Sequence, residues 1–314
     1  MKLFVKRLLA FFPFGIIAYS FMLLTWSNLI PFEAFNKNLN YKMGSYGHLH
    51  SRIQEIDSIG EVDILVVGSS HAYRGFDPRI FDRYEIDLFN LGSSNQTPKQ
   101  SYVLLESYLD TFNPSLVIYE VYPGIFQQDG LESTLDIVAN GPLNQAVVEM
   151  ALKSTSIKAF NALLNRFFIQ GTGGYKSYSE PLRKLKDHDT YVSRGYVQKD
   201  GNYLRNQNLE DSYSWNIRQD QWNYLISIKE MLAGRGVDFL MVQSPIDSAY
   251  FKRIVNNEEV DRRLRSIGNY VNFNYVLSLH YGEHLYDLHH LHQTGVEKFN
   301  YQLIDFLIEK DYLK

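Results

Sequence analysis

Three short stretches of the chain carry residue types that could do acyl chemistry. Gly68-Ser69-Ser70-His71 offers a hydroxyl after a glycine turn. Asn90-Leu91-Gly92-Ser93-Ser94-Asn95 offers a glycine-bearing loop that could expose an amide. Asp287-Leu288-His289-His290-Leu291 sets a carboxylate three residues before an imidazole. Attack by a serine needs the hydroxyl, an imidazole to take its proton, and a carboxylate to orient and stabilise that imidazole. It also needs backbone donors aimed at the developing oxyanion. A D-x-x-H pair on a loop can fold back so that the carboxylate meets one ring nitrogen while the other faces the serine. Either motif alone arises by chance in many proteins. Their order, each behind a candidate strand, gives them weight.

Other chemistries have less support. Five of the nine histidines lie between His280 and His292, so a metal site competes for them. The H-E-x-x-H helix that would make that reading strong is missing, and neither a metal nor another cofactor is expected. With no cysteine, the chain has no thiol nucleophile, disulfide framework, Fe–S site or thiolate zinc site. Its 31 basic and 35 acidic side chains give a formal charge of −4, which supplies no basic field for nucleic acid.

The elements that must position these residues are legible as an alternation. Residues 63–68 (DILVVG), 86–92 (IDLFNLG), 115–123 (SLVIYEVYP) and 237–245 (VDFLMVQSP) are buried-strand candidates, and 284–287 (HLYD) is a short fifth. A helix is expected from Thr97, as N-cap with Pro98 in the first position, to about Thr111. Another covers roughly 216–233. The last takes Thr294 as N-cap with Glu297 in a capping box and carries Val296, Phe299, Leu303 and Leu307 on one face. Apolar strands alternating with amphipathic helices predict a parallel sheet covered on both sides. In such sheets ligands bind beyond the carboxyl ends of the strands, where the three stretches lie.

The remainder divides into an anchor, a connector and an insertion. Residues 8–26 run without a charge, long enough to span about 30 Å of hydrocarbon as a helix. Lys2, Lys6 and Arg7 precede them, so the positive-inside rule leaves the N-terminus in the cytoplasm and sends the rest across. The stretch ends LLTWSNLIPF rather than in an A-x-A-type cleavage site, favouring an uncleaved anchor over a signal peptide. Residues 1–30 thus read as cytoplasmic tip and single transmembrane anchor, 31–60 as a polar connector in which SRIQEID forms a short helix, and 61–314 as the catalytic domain. An insertion at about 140–215 interrupts that domain. Its 143–170 part reads as helical, and 171–214 as polar, tyrosine-rich and weakly periodic.

The three blocks resemble the SGNH (GDSL-type) hydrolase superfamily over roughly residue 62 to the C-terminus. VVGSSHAYRG matches the Gly-Asp-Ser-like turn after the first strand, and DLHHLHQTG matches the last Asp-x-x-His-Leu block with its helix-opening glycine. The resemblance implies a flavodoxin-like three-layer α/β fold with Ser70 as nucleophile, His290 as base and Asp287 as its partner. It also implies an oxyanion hole from the amides of Ser70 and Gly92. The family's third block, Gly-x-Asn-Asp, is missing; strand three ends Tyr119-Glu120-Val121-Tyr122-Pro123. Asn95 is the candidate substitute for its asparagine. Of the remaining site candidates, His71 is expected to cap a turn, Glu120 is left unassigned, and Tyr122 could line a glycan groove.

The departure, the GSSH form of the first block and the anchor look like the membrane-anchored branch that acts in alginate O-acetylation and teichoic-acid D-alanylation. That branch works beside a multi-pass membrane-bound O-acyltransferase. What it implies here is a single-pass protein of the bacterial cytoplasmic membrane with an extracytoplasmic domain. The domain would transfer an acyl group, acetyl by expectation, to a cell-envelope or secreted polysaccharide. An esterase deacylating such a polymer would use the same residues, and a non-catalytic glycan-binding or assembly subunit would explain the altered block. Residue types leave all three open.

Overall fold

The computed structural model describes residues 1–29, 41–184, 188–201 and 212–313. Five parallel strands form its centre: β1 (Ile64–Val67), β2 (Leu88–Asn90), β3 (Leu116–Glu120), and, after an insertion, β7 (Asp238–Gln243) and β8 (Tyr270–Asn272). Their spatial order is β2-β1-β3-β7-β8. Leaving out the inserted strands, this is the 2-1-3-4-5 order of flavodoxin-like sheets, whose ligand crevice opens beside β1 and β3. Val66 pairs with Asn90 on one side and Ile118 on the other, so three strands end level at that crevice.

Both sheet faces are covered because the strands are apolar on both sides. Leu65, Val67, Val117 and Met241 pack with α4 (Pro98–Phe112) and α8 (Gln219–Ala233). Ile64, Val66, Ile118 and Leu240 pack with α10 (Gln293–Glu309). On α10, the four residues read from the sequence as one face, Val296, Phe299, Leu303 and Leu307, are all fully buried. Between α4 and α8 in the chain lie α5 (Leu131–Asn140), α6 (Gln145–Lys153) and α7 (Ile157–Gly171), then an antiparallel three-stranded sheet of β4 (Arg183–Lys184), β5 (Asp189–Tyr191) and β6 (Val197–Lys199). The remaining labels belong to α1 (Lys2–Leu29), α2 (Leu49–Ile59), α3 (Ser70–Gly75) and α9 (Asn257–Arg265).

Several sequence expectations change. Residues 284–287 are not the fifth strand; β8 takes that edge, and 280–292 form a compact loop tied by Tyr286 N to His290 O and His292 N to His284 O. HLYD, with a histidine and an aspartate among its four residues, has little apolar surface to bury, and the edge beside β7 is filled by Tyr270–Asn272, which α9 delivers there. Thr294 is not the N-cap of the last helix. His292 holds that position, while the Thr294 hydroxyl donates to Glu283 O at 2.7 Å. The helix can lie so close to the loop because residue 295 is glycine: a Cβ there would stand 2.2 Å from His284 O.

Part of the expected connector belongs to the folded domain. Its first part falls outside the described residues, but α2 packs Leu49, Ile53 and Ile56 into the main core. Arg52, wholly buried on the same helix, donates through Nε and Nη2 to Gly195 O and through Nη2 to Gly47 O. A buried guanidinium is tolerated when such carbonyls solvate it. The contact fastens α2 to the β5–β6 turn, and Arg194 O of that turn accepts from Asn90 N at 2.9 Å, at the end of β2. The insertion therefore braces the sheet end that holds the site.

At the N-terminus, α1 contains a stretch, Lys2–Trp26, whose most apolar 18 residues have a mean hydropathy of 2.0, long and apolar enough to cross a membrane.

Candidate active site

Ser70 opens α3 immediately beyond β1, with Ser69 as N-cap accepting from His71 N. The first amides of a helix have no intrahelical acceptor, so the nucleophile candidate carries its own spare donor. Ser70 Oγ lies 2.8 Å from His290 Nε2, and His290 Nδ1 lies 2.8 Å from Asp287 Oδ2. The backbone amides of His289 and His290 donate to the other carboxylate oxygen, Asp287 Oδ1, at 2.9 and 2.8 Å. Asp287 is thus held in a tight turn by the loop that presents the imidazole. The tautomer this implies, Nδ1–H toward the carboxylate and Nε2 toward the serine, is the one a general base needs.

The electrostatics agree with that role. Burial alone would raise the Asp287 pKa, but His290 beside it, its hydrogen bond, and His289 together hold the carboxyl well below its usual range. Burial lowers the His290 pKa, and the Asp287 carboxylate only partly opposes it. At neutral pH the ring is therefore a free base facing the hydroxyl.

Of the expected oxyanion donors, the structure brings Ser70 and Asn95 to one pocket, about 240 Å³, that also includes His290. The Asn95 side-chain amide donates to Glu132 Oε2 at 2.7 Å. The Gly92 amide is occupied as well, donating to Asn90 Oδ1 at 3.0 Å. Gly92 nonetheless has to be glycine, since a Cβ would sit 2.9–3.0 Å from Ala72 Cβ, Gly68 O and Ser69 O. Asn90 is the residue the sequence reading passed over. Fully buried, it receives the Gly92 amide and donates to Ala72 O at 2.6 Å, locking the second loop to the helix that bears Ser70.

His71 is more than a turn cap. Its ring lies between Tyr122, with centroids 4.0 Å apart, and His290, at 4.8 Å, nearly parallel to both. Its Nδ1 meets Ser69 Oγ and its Nε2 meets His289 Nδ1, each at 3.1 Å. Burial, then His290 and His289, push its pKa well below the ordinary value. Burial, then His290, take His289 down to about 3. His71 thus backs the base candidate with a neutral, flat surface. Tyr122, proposed from sequence for a glycan groove, is the buried far side of this stack. Glu120, unassigned from sequence, is buried at the end of β3, accepting from Tyr122 N and Ser244 N; burial raises it to about 8.

One nitrogen each of His71, His289 and His290 lie within 4.8 Å of one another, close enough for a metal ion. The chemistry of the set argues otherwise: both His290 nitrogens are engaged by Ser70 and Asp287. Both His71 nitrogens are engaged too, by Ser69 Oγ and His289 Nδ1.

The insertion supplies the pocket wall the sequence could not reveal. Asp189 on β5 bridges Arg74 Nη2 at 2.8 Å and Lys199 Nζ at 3.0 Å. Arg74 and Lys199 outweigh the effect of burial and keep the Asp189 carboxyl below its usual range. Tyr46, Gly47 and Tyr73 complete the wall.

A pH profile tests the base assignment. Only the neutral imidazole accepts the serine proton, so kcat/KM should fall as pH drops through the His290 pKa, which burial sets below 6.5. Asp287→Asn removes the charge that favours imidazolium, so its acid limb should move to still lower pH while the rate falls. Profiles over roughly pH 4–8 decide this. A wild-type limb centred above the ordinary histidine value would contradict the assignment.

No family model matches the chain, and no curated protein matches it. Among solved structures, a Bacteroides fragilis NCTC 9343 protein described as an acylhydrolase aligns with a TM-score of 0.43 at 11% identity, over 86% of this chain and 99% of its own. A GDSL-like lipase from Bacteroides thetaiotaomicron VPI-5482 aligns with a TM-score of 0.39 at 11% identity, over 85% and 97%. At that distance, what the site can do rests on its own geometry.

Proposed function

We propose that the chain is a membrane-anchored acyltransferase of the SGNH type that acylates a hydroxyl of a cell-envelope or secreted polysaccharide on the extracytoplasmic side. The observation that carries the catalytic part is the unbroken line Ser70–His290–Asp287, two contacts of 2.8 Å, at the carboxyl end of β1. In this reading His290 Nε2 takes the Ser70 proton as Oγ attacks the acyl carbonyl. The Ser70 amide donates to the oxyanion, and Asp287 stabilises the imidazolium. The imidazolium then protonates the departing group, leaving an ester on Ser70. An acceptor hydroxyl repeats the sequence, giving its proton to His290 and taking the acyl group. The anchor supports a donor delivered at the membrane, for which a multi-pass membrane-bound O-acyltransferase is the expected partner.

Trapping the intermediate tests this reading. Brief incubation with an activated acetyl ester should leave an adduct on the Ser70 peptide by mass spectrometry. Added polysaccharide should then take the acetyl group faster than water does. An adduct that only water discharges would make the protein an esterase on the same polymer. No adduct and no turnover would leave a non-catalytic glycan-binding or assembly subunit.

A further inference from the structure

The helix α7 carries apolar residues on two sides, and only one of them faces protein. Ala159, Ala162 and Leu163 are buried among the inserted helices. Ile157, Phe160, Phe167 and Phe168 point outward, between 41% and 63% exposed, with Leu164 half-buried between them. The spacing 157, 160, 164, 167 follows the helical repeat, so these side chains form one continuous stripe. The side facing the domain is mixed, with Asn161, Asn165 and Arg166 buried beside the alanines and Leu163, whereas the outward stripe is apolar and has no cover among the described residues of the domain.

Two further observations say what covers the stripe. First, α7 is the helix against which α1 packs: Tyr19 Oη donates to Asn161 Oδ1 at 2.7 Å, and Leu23 of α1 is buried. Tyr19 precedes Trp26 by seven residues, about 10 Å along a helix. If Trp26 marks the membrane–water boundary, as indole rings do, Asn161 is bonded at a level about 10 Å inside it. That depth matches an interfacial helix whose apolar face sinks about 5–10 Å. Second, the exposed charges of residues 154–179, Lys158 and Lys176, are both basic, and the segment has no acidic residue, the charge bias of a segment lying against lipid headgroups.

We infer that α7 is an in-plane membrane helix whose Ile157–Phe160–Leu164–Phe167 stripe is immersed in the lipid bilayer beside α1, so that the domain lies on the membrane instead of swinging from a tether. The inference rests on the reading of α1 as an anchor. Immersion would fix the height of the Ser70 pocket above the bilayer.

The absence of native cysteine allows a direct test on the full chain. Single variants Phe160→Cys, Phe167→Cys, Phe12→Cys in α1 and Glu258→Cys on α9 are labelled with an environment-sensitive fluorophore. They are then reconstituted in vesicles of phosphatidylcholine and phosphatidylglycerol, with or without nitroxide-labelled lipid. Expected are blue-shifted emission at 160 and 167, quenching there by shallow nitroxides, deeper quenching at 12, and water-like emission at 258. Water-like emission at 160 and 167 with position 12 quenched would overturn the inference and leave the anchor standing. Water-like emission at 12 would overturn the anchor reading and the inference with it. Blue-shifted emission at 160 and 167 that lipid nitroxides fail to quench would place protein, such as a second copy, over the stripe and overturn the lipid assignment.

Discussion

Ser70→Ala and His290→Ala are each expected to lower turnover of an activated acyl ester by about 10³-fold or more, with thermal unfolding little changed. In the proposed reaction the two groups act as one unit: the serine is a poor nucleophile until the imidazole takes its proton, and the imidazole has nothing to do without the serine. The double variant should therefore be little worse than either single one. Asp287→Asn should be comparable or milder, since it disturbs the tautomer and the imidazolium rather than the attack. Steady-state kinetics with calorimetric melting of each variant checks this. Wild-type turnover by folded Ser70→Ala would move the nucleophile elsewhere, with Ser69 next in line. Ser69 Oγ is, however, already committed to His71, accepting from its amide and meeting its Nδ1 at 3.1 Å.

The second large effect is on stability and concerns α2. A fragment beginning at residue 41 keeps this helix and should fold and melt cooperatively. One beginning at residue 61 loses the buried Leu49, Ile53 and Ile56 together with the Arg52 bonds that hold the β5–β6 turn. Each buried aliphatic side chain contributes about 1.5–3 kcal/mol, against a net domain stability of roughly 5–15 kcal/mol. The shorter fragment should thus lose most of its stability, and the pocket wall of Asp189 and Lys199 should loosen with the turn. Circular dichroism melts of the two fragments decide the point. Equal melting temperatures would show that α2 is dispensable.

The sequence by itself determined what depends on local pattern. Four apolar runs became β1, β2, β3 and β7 within a few residues of their expected ends, because a buried parallel strand needs apolar residues on both faces. Pro98 and the periodic face of α10 located two helices for similar reasons. Residues 8–26 lie within the one long apolar helix found among the described residues. Ser70, Asp287 and His290, which the structure joins in one hydrogen-bonded line, were nameable as candidates because a hydroxyl, a carboxylate and an imidazole are chemically distinct types, set in two short motifs.

Tertiary structure alone decided what depends on packing between distant segments. Whether 284–287 or 270–272 became the edge strand was a competition for one sheet edge that neither short run wins by propensity. The role of α2 was hidden because its sequence is half polar, and Arg52 reads as a surface residue until the Gly47 and Gly195 carbonyls close around it. His71 looked like a turn residue because its partners, Tyr122, His289 and His290, come from the ends of the sheet's third strand and of the chain. Gly92 was legible as a glycine the loop requires, yet its amide is claimed by Asn90, two residues back, through a side chain whose direction no pattern reveals. Asp189 and Lys199 lie in a stretch without periodicity. They reach the pocket only because the inserted hairpin folds back over β2, a long-range contact whose stabilisation comes from burial rather than from any local signal.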